Sequence, residues 1–190
     1  MTGGPVPAPV GAAQVPEQVR AAAAAAPGQW ISLVDPHWAG EGAPPPWAVV
    51  GSWRAGEAGV VEEFEPNEEY RPSPTAHGWP PPTDPVDAAV QLSATGYGPP
   101  EDVYRALAAG PLAVAADGDG GPGSVGLPDG QWVVPVFSDR SWLAAAGDPL
   151  HLVLGAAELA DLLPPGHRIV LNPGAPVAMR LEPDLLRAAG

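Results

Sequence analysis

The spacing of apolar and polar residues in the first half of the chain predicts one helix, one strand and a β-hairpin. Residues 16–26 hold a run of six alanines, with Pro16 suited to a first helical turn and Pro27-Gly28 as a stop. The apolar run 30–34 predicts a strand that ends at Asp35-Pro36. Residues 47–53 and 60–65, joined by a glycine-containing turn, have the pattern of a hairpin.

Two helices are predicted in the middle of the chain. Asp84-Pro85-Val86-Asp87 combines an N-cap carboxylate, a proline at the first helical position and an acid at the third, so a helix is expected to about Thr95. The segment 96–100 breaks it. A second helix begins at Glu101-Asp102, places Val103 and Leu107 on one face, and ends before Gly110-Pro111.

The remaining residues alternate between strand and helix patterns. The predicted strands are 112–116, 131–137, 151–154, 168–171 and 177–181, and the predicted helices are 138–146, 156–163 and a short one from Pro183. Apolar residues on both faces of 131–137 predict a strand buried on both sides, although Pro135 lacks an N–H and favours an edge or a bulge there. Ser138 is the expected N-cap of the following helix.

The predicted fold class is α+β, a mixed β-sheet flanked by helices. An N-terminal β-hairpin subdomain is expected to pack against a C-terminal α/β subdomain. The predicted divisions are a disordered tail at 1–15, a Trp/Pro-rich subdomain at 16–98 and a second subdomain at 99–190. The turn-rich boundary at 96–100 is too short for a free linker, so we expect one compact unit with two subdomains.

Charge and composition narrow the function. The formal net charge is −14, and the eight basic residues are all arginines that form no basic stripe, which argues against nucleic-acid binding and favours a basic protein partner. Without lysine, the chain can build neither a Walker-type loop nor a Schiff base, and without cysteine it has no thiolate chemistry. No signal peptide or long apolar run is recognisable, so we expect a cytoplasmic protein without membrane insertion.

The motifs that could support enzyme or metal chemistry are weak. Residues 118–123 satisfy G-x-G-x-x-G, but no helix is predicted after them and their aspartates would repel a pyrophosphate, so we expect a turn. Asp35, His37 and Glu41 lie close in sequence, yet their spacing matches no zinc pattern, and Asp35-Pro36 favours a turn. With no G-x-S-x-G elbow either, we expect no catalytic residue, metal or cofactor.

The candidate partner-binding residues lie mainly in the first eighty positions. Tyrosine, tryptophan and arginine are the side chains that interfaces prefer, and carboxylates suit a basic partner. The predicted set is Tyr70, Arg71, Trp79, Glu62, Glu63 and Trp38. Two alternatives stay open: the glutamates of 62–69 could be a solvated strand edge, and the tryptophans, above all Trp47 and Trp53, could pack in the core.

Several segments of the sequence resemble those of a known family. Residues 35–97 are similar to actinobacterial type VII secretion system-associated proteins, in the motifs "DPHW", "PPPWAVVGSWR", "YRPSP" and "GWPPPTDPVDAAVQLSATGYG". The second half resembles the SseB N-terminal domain, in "VVPVFSD", "LLPPGHRIVLNPG" and "VAMRL". The resemblance implies a cytoplasmic α+β accessory protein without established enzymatic activity, and it carries over no functional residues.

An enzyme or metal protein is a hypothesis that rests only on the weak cluster of Asp35, His37 and Glu41. The resemblance and the acidic charge lead to two further hypotheses and leave the oligomeric state open. The first is an adaptor or chaperone-like protein that binds a type VII secretion component or substrate. The second is an immunity protein that binds a basic toxin domain. Trp38-Ala39-Gly40 and the pair Tyr97 and Glu101 match motifs of type VII substrates, but they lack the helical context of those motifs, so we interpret the chain as an accessory and not as cargo.

Overall fold

The computed structural model describes residues 15–189, and they form two compact units that divide between His77 and Gly78. Residues 1–14 of the predicted tail lie outside the described residues. Its last residue, Val15, is buried and packs with Val19 and Trp53, so the prediction of disorder was wrong there. The predicted α+β class is confirmed: a three-stranded antiparallel sheet precedes a mixed sheet with helices.

The first unit is built on the predicted hairpin. Its elements are α1 (Glu17–Ala25), β1 (Trp30–Val34), a 3-10 helix (Pro46–Ala48), β2 (Val49–Ala55) and β3 (Val61–Pro66). The strands are ordered β1-β2-β3, with Trp53 of β2 opposite Ile31 and Phe64. Trp53 is buried, and its ring centroid lies 4.4 Å from that of Phe64. The core interpretation of this tryptophan is therefore confirmed.

The second unit contains most of the predicted helices and strands. Its elements are α2 (Pro85–Thr95), α3 (Glu101–Ala108), β4 (Leu112–Ala115), β5 (Val125–Gly126), β6 (Trp132–Phe137), α4 (Arg140–Ala145), β7 (His151–Leu154), α5 (Ala156–Leu162), β8 (Arg168–Leu171), β9 (Met179–Leu181) and α6 (Pro183–Ala189). Helix α2 packs with α3 in this unit, which differs from the predicted boundary at 98/99. Among residues 15–189, no helix combines the length and apolar character that crossing a membrane requires.

The sheet of the second unit has the order β7-β4-β6-β8-β9, with β5 paired to β6. Strands β6 and β8 are parallel, and the other pairs are antiparallel. Alternate side chains of the strands, such as Val134 and Val136, form the core with apolar residues of α2, α3, α5 and α6. Strand β6 is buried on both faces from Val133 onward except at the half-buried Pro135, whereas Trp132 is 52% exposed, contrary to the prediction.

Pro135 lies at an interruption in the hydrogen bonding of β6. On one side β8 pairs along the strand, while on the other β5 pairs with the first two residues of β6 and β4 with the last two. The carbonyl of Val136 accepts a hydrogen bond from the N–H of Asn172, which follows β8. Backbone groups of successive strand residues point to opposite neighbouring strands, so the nitrogen of Pro135 points away from β8, toward β4 and β5. Pro135 therefore faces the gap between β5 and β4, where no N–H is needed, and this gap is the interruption that the sequence predicted.

The glycine-rich segment supplies the hydrogen bond that Pro135 cannot donate. If the register of β4 continued, Ala115 would lie opposite Pro135; its carbonyl instead accepts from the N–H of Gly123 at 2.7 Å. The carboxylate of Asp117 accepts from Asp119 N–H and Gly121 N–H, which shapes the turn between them. The segment 118–123 is thus a turn against the end of β4, as predicted.

We expect Gly123→Ala to lower the free energy of unfolding by about 1–3 kcal/mol, the range for an overpacked site. A Cβ at this position would lie 2.7 Å from the carbonyl carbon and oxygen of Ala116, and backbone atoms cannot rotate away. Gly118→Ala is the matched control, because nothing lies within 4 Å of its Cβ position and it has no positive φ. Urea denaturation measures both, and equal stabilities would contradict the role of Gly123.

Candidate functional site

Asp35 is the polar centre of the first unit. It is 1% exposed and directly follows β1. Its Oδ2 accepts from the Tyr70 hydroxyl at 2.6 Å and from the Ser73 N–H at 3.3 Å, and its Oδ1 accepts from the His37 N–H at 2.8 Å. These bonds join the loop after β1 to the loop after β3, and they satisfy a carboxylate whose burial would otherwise be costly.

Burial raises the pKa of Asp35, while hydrogen bonds from Tyr70, His37 and Ser73 lower it, and the net result is a pKa below the ordinary value of 3.8. Because the folded-state pKa lies below the unfolded one, the carboxylate contributes stability above about pH 4. That contribution is lost as the pH falls through the lowered pKa.

Three residues of the predicted set belong to these loops of the first unit: Trp38, Tyr70 and Arg71. Tyr70 is half-buried with its hydroxyl on Asp35, so it holds the loop in addition to any contact with a partner. Arg71 is exposed, and its N–H donates to the carbonyl of Trp47 at 2.9 Å. Trp38 packs edge-on against Trp47 with ring centroids 5.7 Å apart. Trp79 belongs to the second unit.

The predicted glutamates lie on β3 and its continuation. Glu62 and Glu63 both contact Arg54 of β2, at 2.9 and 3.0 Å, and the hydrogen bond that Arg54 donates to Glu63 is the main cause that raises the pKa of Arg54. The next three glutamates make no ion pair with any described residue. We call the five exposed carboxylates the acidic cluster: Glu62, Glu63, Glu65, Glu68 and Glu69.

The proposed ligands of a metal do not converge on one point. Both oxygens of Asp35 are occupied by donors of the protein itself, one of which is the backbone N–H of His37. Within residues 15–189, no three histidine or carboxylate side chains are placed to hold a metal ion. Residues 35–38 instead form a turn, in which the Asp35 carboxylate accepts from the N–H of His37 and the Asp35 carbonyl accepts from the N–H of Trp38.

A second polar cluster lies in the second unit, and sequence analysis missed it. The Ser138 hydroxyl donates to Asp84 Oδ2 at 2.8 Å and accepts from Asn172 Nδ2 at 2.8 Å, while the Ser138 N–H donates to Asn172 Oδ1 at 2.9 Å. Asp84 also accepts from Val86 N–H and Asp87 N–H, as the predicted N-cap of α2. The cluster therefore ties α2 to the ends of β6 and β8.

The N-cap assigned to Ser138 was wrong. Asp139 caps α4, because its carboxylate accepts from both the N–H and the hydroxyl of Ser141. Both residues are good caps, so the sequence does not separate them. The side chain of Ser138 is engaged with Asp84 and Asn172, which are distant in sequence, and no local signal indicates those contacts.

Comparison with protein families gives one match. The family model described as SseB protein N-terminal domain matches residues 86–188, more than half of the chain and nearly all of the second unit. No curated protein and no solved structure matches the chain.

We expect Tyr70→Phe to lower the free energy of unfolding at pH 7 by about 1.5–3 kcal/mol, because it removes a hydrogen bond to a buried carboxylate. Tyr104→Phe is the control, since its hydroxyl accepts a longer bond, 3.3 Å, from the N–H of exposed Glu182. The deficit of Tyr70→Phe should shrink as the pH falls through the lowered pKa of Asp35, because the carboxyl group is then protonated in both proteins. Urea denaturation across this range measures it, and a deficit independent of pH would contradict the pairing.

Proposed function

The chain belongs to the SseB N-terminal domain family through residues 86–188, and on this premise we propose that it is a non-catalytic accessory protein of a type VII secretion system. In this proposal it acts as an adaptor or chaperone-like protein in the cytoplasm. It binds a secretion component or substrate through the first unit, which lies outside the matched family segment.

The observation that carries the proposal is the acidic cluster. Five exposed carboxylates follow one another along β3 and its turn, and Arg54 is the one arginine that forms ion pairs with them among the described residues. The charge that remains uncompensated attracts a basic surface and speeds its association. The similarity of residues 35–97 to type VII-associated proteins supports a secretion component or substrate as the partner.

The loops fixed by Asp35 support a preformed binding surface. Tyr70 bonds to a buried carboxylate, and the backbone of Arg71 bonds to that of Trp47, so these side chains start from an ordered backbone. An ordered surface loses less conformational entropy on binding, and aromatic and arginine side chains are effective anchors. We place the partner on Trp38, Tyr70 and Arg71 beside the acidic cluster. Trp79, in the second unit, stays a separate candidate for partner binding.

The acidic cluster also favours a second candidate, an immunity protein that neutralises a basic toxin domain. The two candidates differ in the partner and in the phenotype. Co-expression with a toxin encoded nearby should protect the cell only if the immunity function is correct, whereas loss of the protein should impair secretion only if the accessory function is correct.

The test is affinity purification of tagged protein from its own cells, with partners identified by mass spectrometry. We expect the wild type to recover a type VII component or substrate in a salt-sensitive manner. A variant with Glu65, Glu68 and Glu69 changed to glutamine should recover at least about tenfold less, since loss of 1.4 kcal/mol of binding energy suffices for that change.

The matched control changes three exposed glutamates elsewhere, Glu41, Glu101 and Glu158, to glutamine, with the same change in net charge. Equal recovery by the control and the wild type would assign the effect to the acidic cluster. Equal loss of recovery in both variants would show that net charge alone causes the effect. Recovery of no secretion protein by the wild type would reject the proposed function.

A further inference from the structure

Strand β7 is an open edge of the six-stranded sheet. The carbonyl of Leu150 accepts a hydrogen bond from the N–H of Ala116 at 2.8 Å. Because backbone groups alternate in direction along a strand, Leu152 and Leu154 also direct their N–H and C=O groups to β4. His151 and Val153 therefore direct their N–H and C=O groups outward. No backbone group of the described chain forms a hydrogen bond with those four groups.

This edge lacks two of the usual protections against pairing, charged residues and proline. Leu150 and Val153 are 68% and 66% exposed, the highest values among the large apolar side chains of the described residues. Strand β7 contains no Asp, Glu, Lys, Arg or Pro, whereas β9 at the opposite edge is three residues long and carries the exposed Arg180. Proteins generally block edges with charges, prolines or short strands, and the four-residue β7 has neither a charge nor a proline, so it is a site for the addition of a short strand.

Carboxylates lie beside this edge. A groove of about 310 Å³ runs next to β7, with Phe137, Ala113 and Val153 among its apolar residues and Asp139, Arg140 and Asp148 as its charged ones. The carboxylate of Asp148 makes no hydrogen bond or ion pair with another described residue. A side-chain hydrogen bond from Ser141 lowers the pKa of Asp139, so this group is ionised at neutral pH.

The charge decides which occupant fits the edge. A second copy of this chain would bring another net charge of −14 to the same place, while a cationic segment would be attracted to it. We propose that β7 accepts an extended segment of a partner protein as an added β-strand, with apolar residues at alternate positions and a lysine or arginine that pairs with Asp148. The proposal rests on the proposed function in that the occupant is a protein.

The added strand would complete the hydrogen bonding of β7. Its backbone pairs with the outward N–H and C=O groups of His151 and Val153, which gives affinity without regard to sequence. The side chains of the added strand that lie on the same face as Val153 cover Val153 and the rim of the groove. Apolar residues are therefore favoured at those positions of the partner. The basic residue lies near the start of β7, where Asp148 precedes the strand.

The test titrates the isotope-labelled full chain with a short blocked peptide of alternating valine and lysine, followed by NMR. We expect saturable shifts at the amides of β7 and in the groove. Val153→Pro should weaken binding at least about tenfold, because it removes an outward N–H and leaves the pairing with β4 intact. Val153→Thr, which retains the N–H and the branched shape, should change affinity less than about threefold.

Three controls separate this contact from others. The same peptide N-methylated on its pairing edge should fail to bind the wild-type protein, which makes the result independent of the folding of Val153→Pro. Asp148→Asn should weaken the binding of the lysine peptide and remove most of the salt dependence of that binding. A peptide with glutamate in place of lysine should bind at least about tenfold more weakly.

Several results would overturn the proposal: no saturable binding, equal binding of the glutamate peptide, or shifts centred on another strand. A dimer in sedimentation experiments that Val153→Pro dissociates would assign β7 to a second copy. The proposed function fails separately. If the peptide binds β7 but no secretion protein is recovered, the edge remains a peptide site without that role, and if recovery persists without peptide binding, only the β7 proposal is lost.

Discussion

Each unit depends on hydrogen bonds that satisfy one buried polar side chain and join distant loops or strand ends. In the first unit, Asp35 is nearly inaccessible, and its oxygens are satisfied by loops that follow two different strands. In the second unit, Asn172 is 1% exposed at a φ of 47° and bonds to both the N–H and the hydroxyl of Ser138. The apolar cores give the units their stability, and these polar contacts fix the courses of their loops.

The sequence predicted the features that depend on near neighbours. Asp84 was recognised as the cap of α2 because its partners lie two and three residues away. Strands β1, β7 and β8 were predicted at their observed bounds, because short apolar runs between turn residues identify them. Pro135 correctly indicated an interruption, since a residue without an N–H limits the pairing of any strand.

The features that escaped prediction depend on residues far apart in the chain. Tyr70 was chosen as an interface residue from its type alone, and its bond to Asp35 spans 35 positions. Strand β5 has only two residues, and its pairing with β6 leaves no periodic pattern in the sequence. The candidate surface was predicted from side-chain chemistry, but the open edge of β7 follows from strand order, which a single sequence does not determine.

The cap of α2 also determines where the second unit can be cut. The matched family segment begins at Val86, yet the carboxylate that caps α2 and holds Ser138 belongs to Asp84. Gln91 donates to the carbonyl of Pro80, and the N–H of Thr83 donates to Asp87, so the residues before the helix are part of its fold. A fragment excised at the family boundary would expose the first turn of α2 and leave Ser138 without its acceptor. An autonomous fragment therefore has to begin upstream of Pro80.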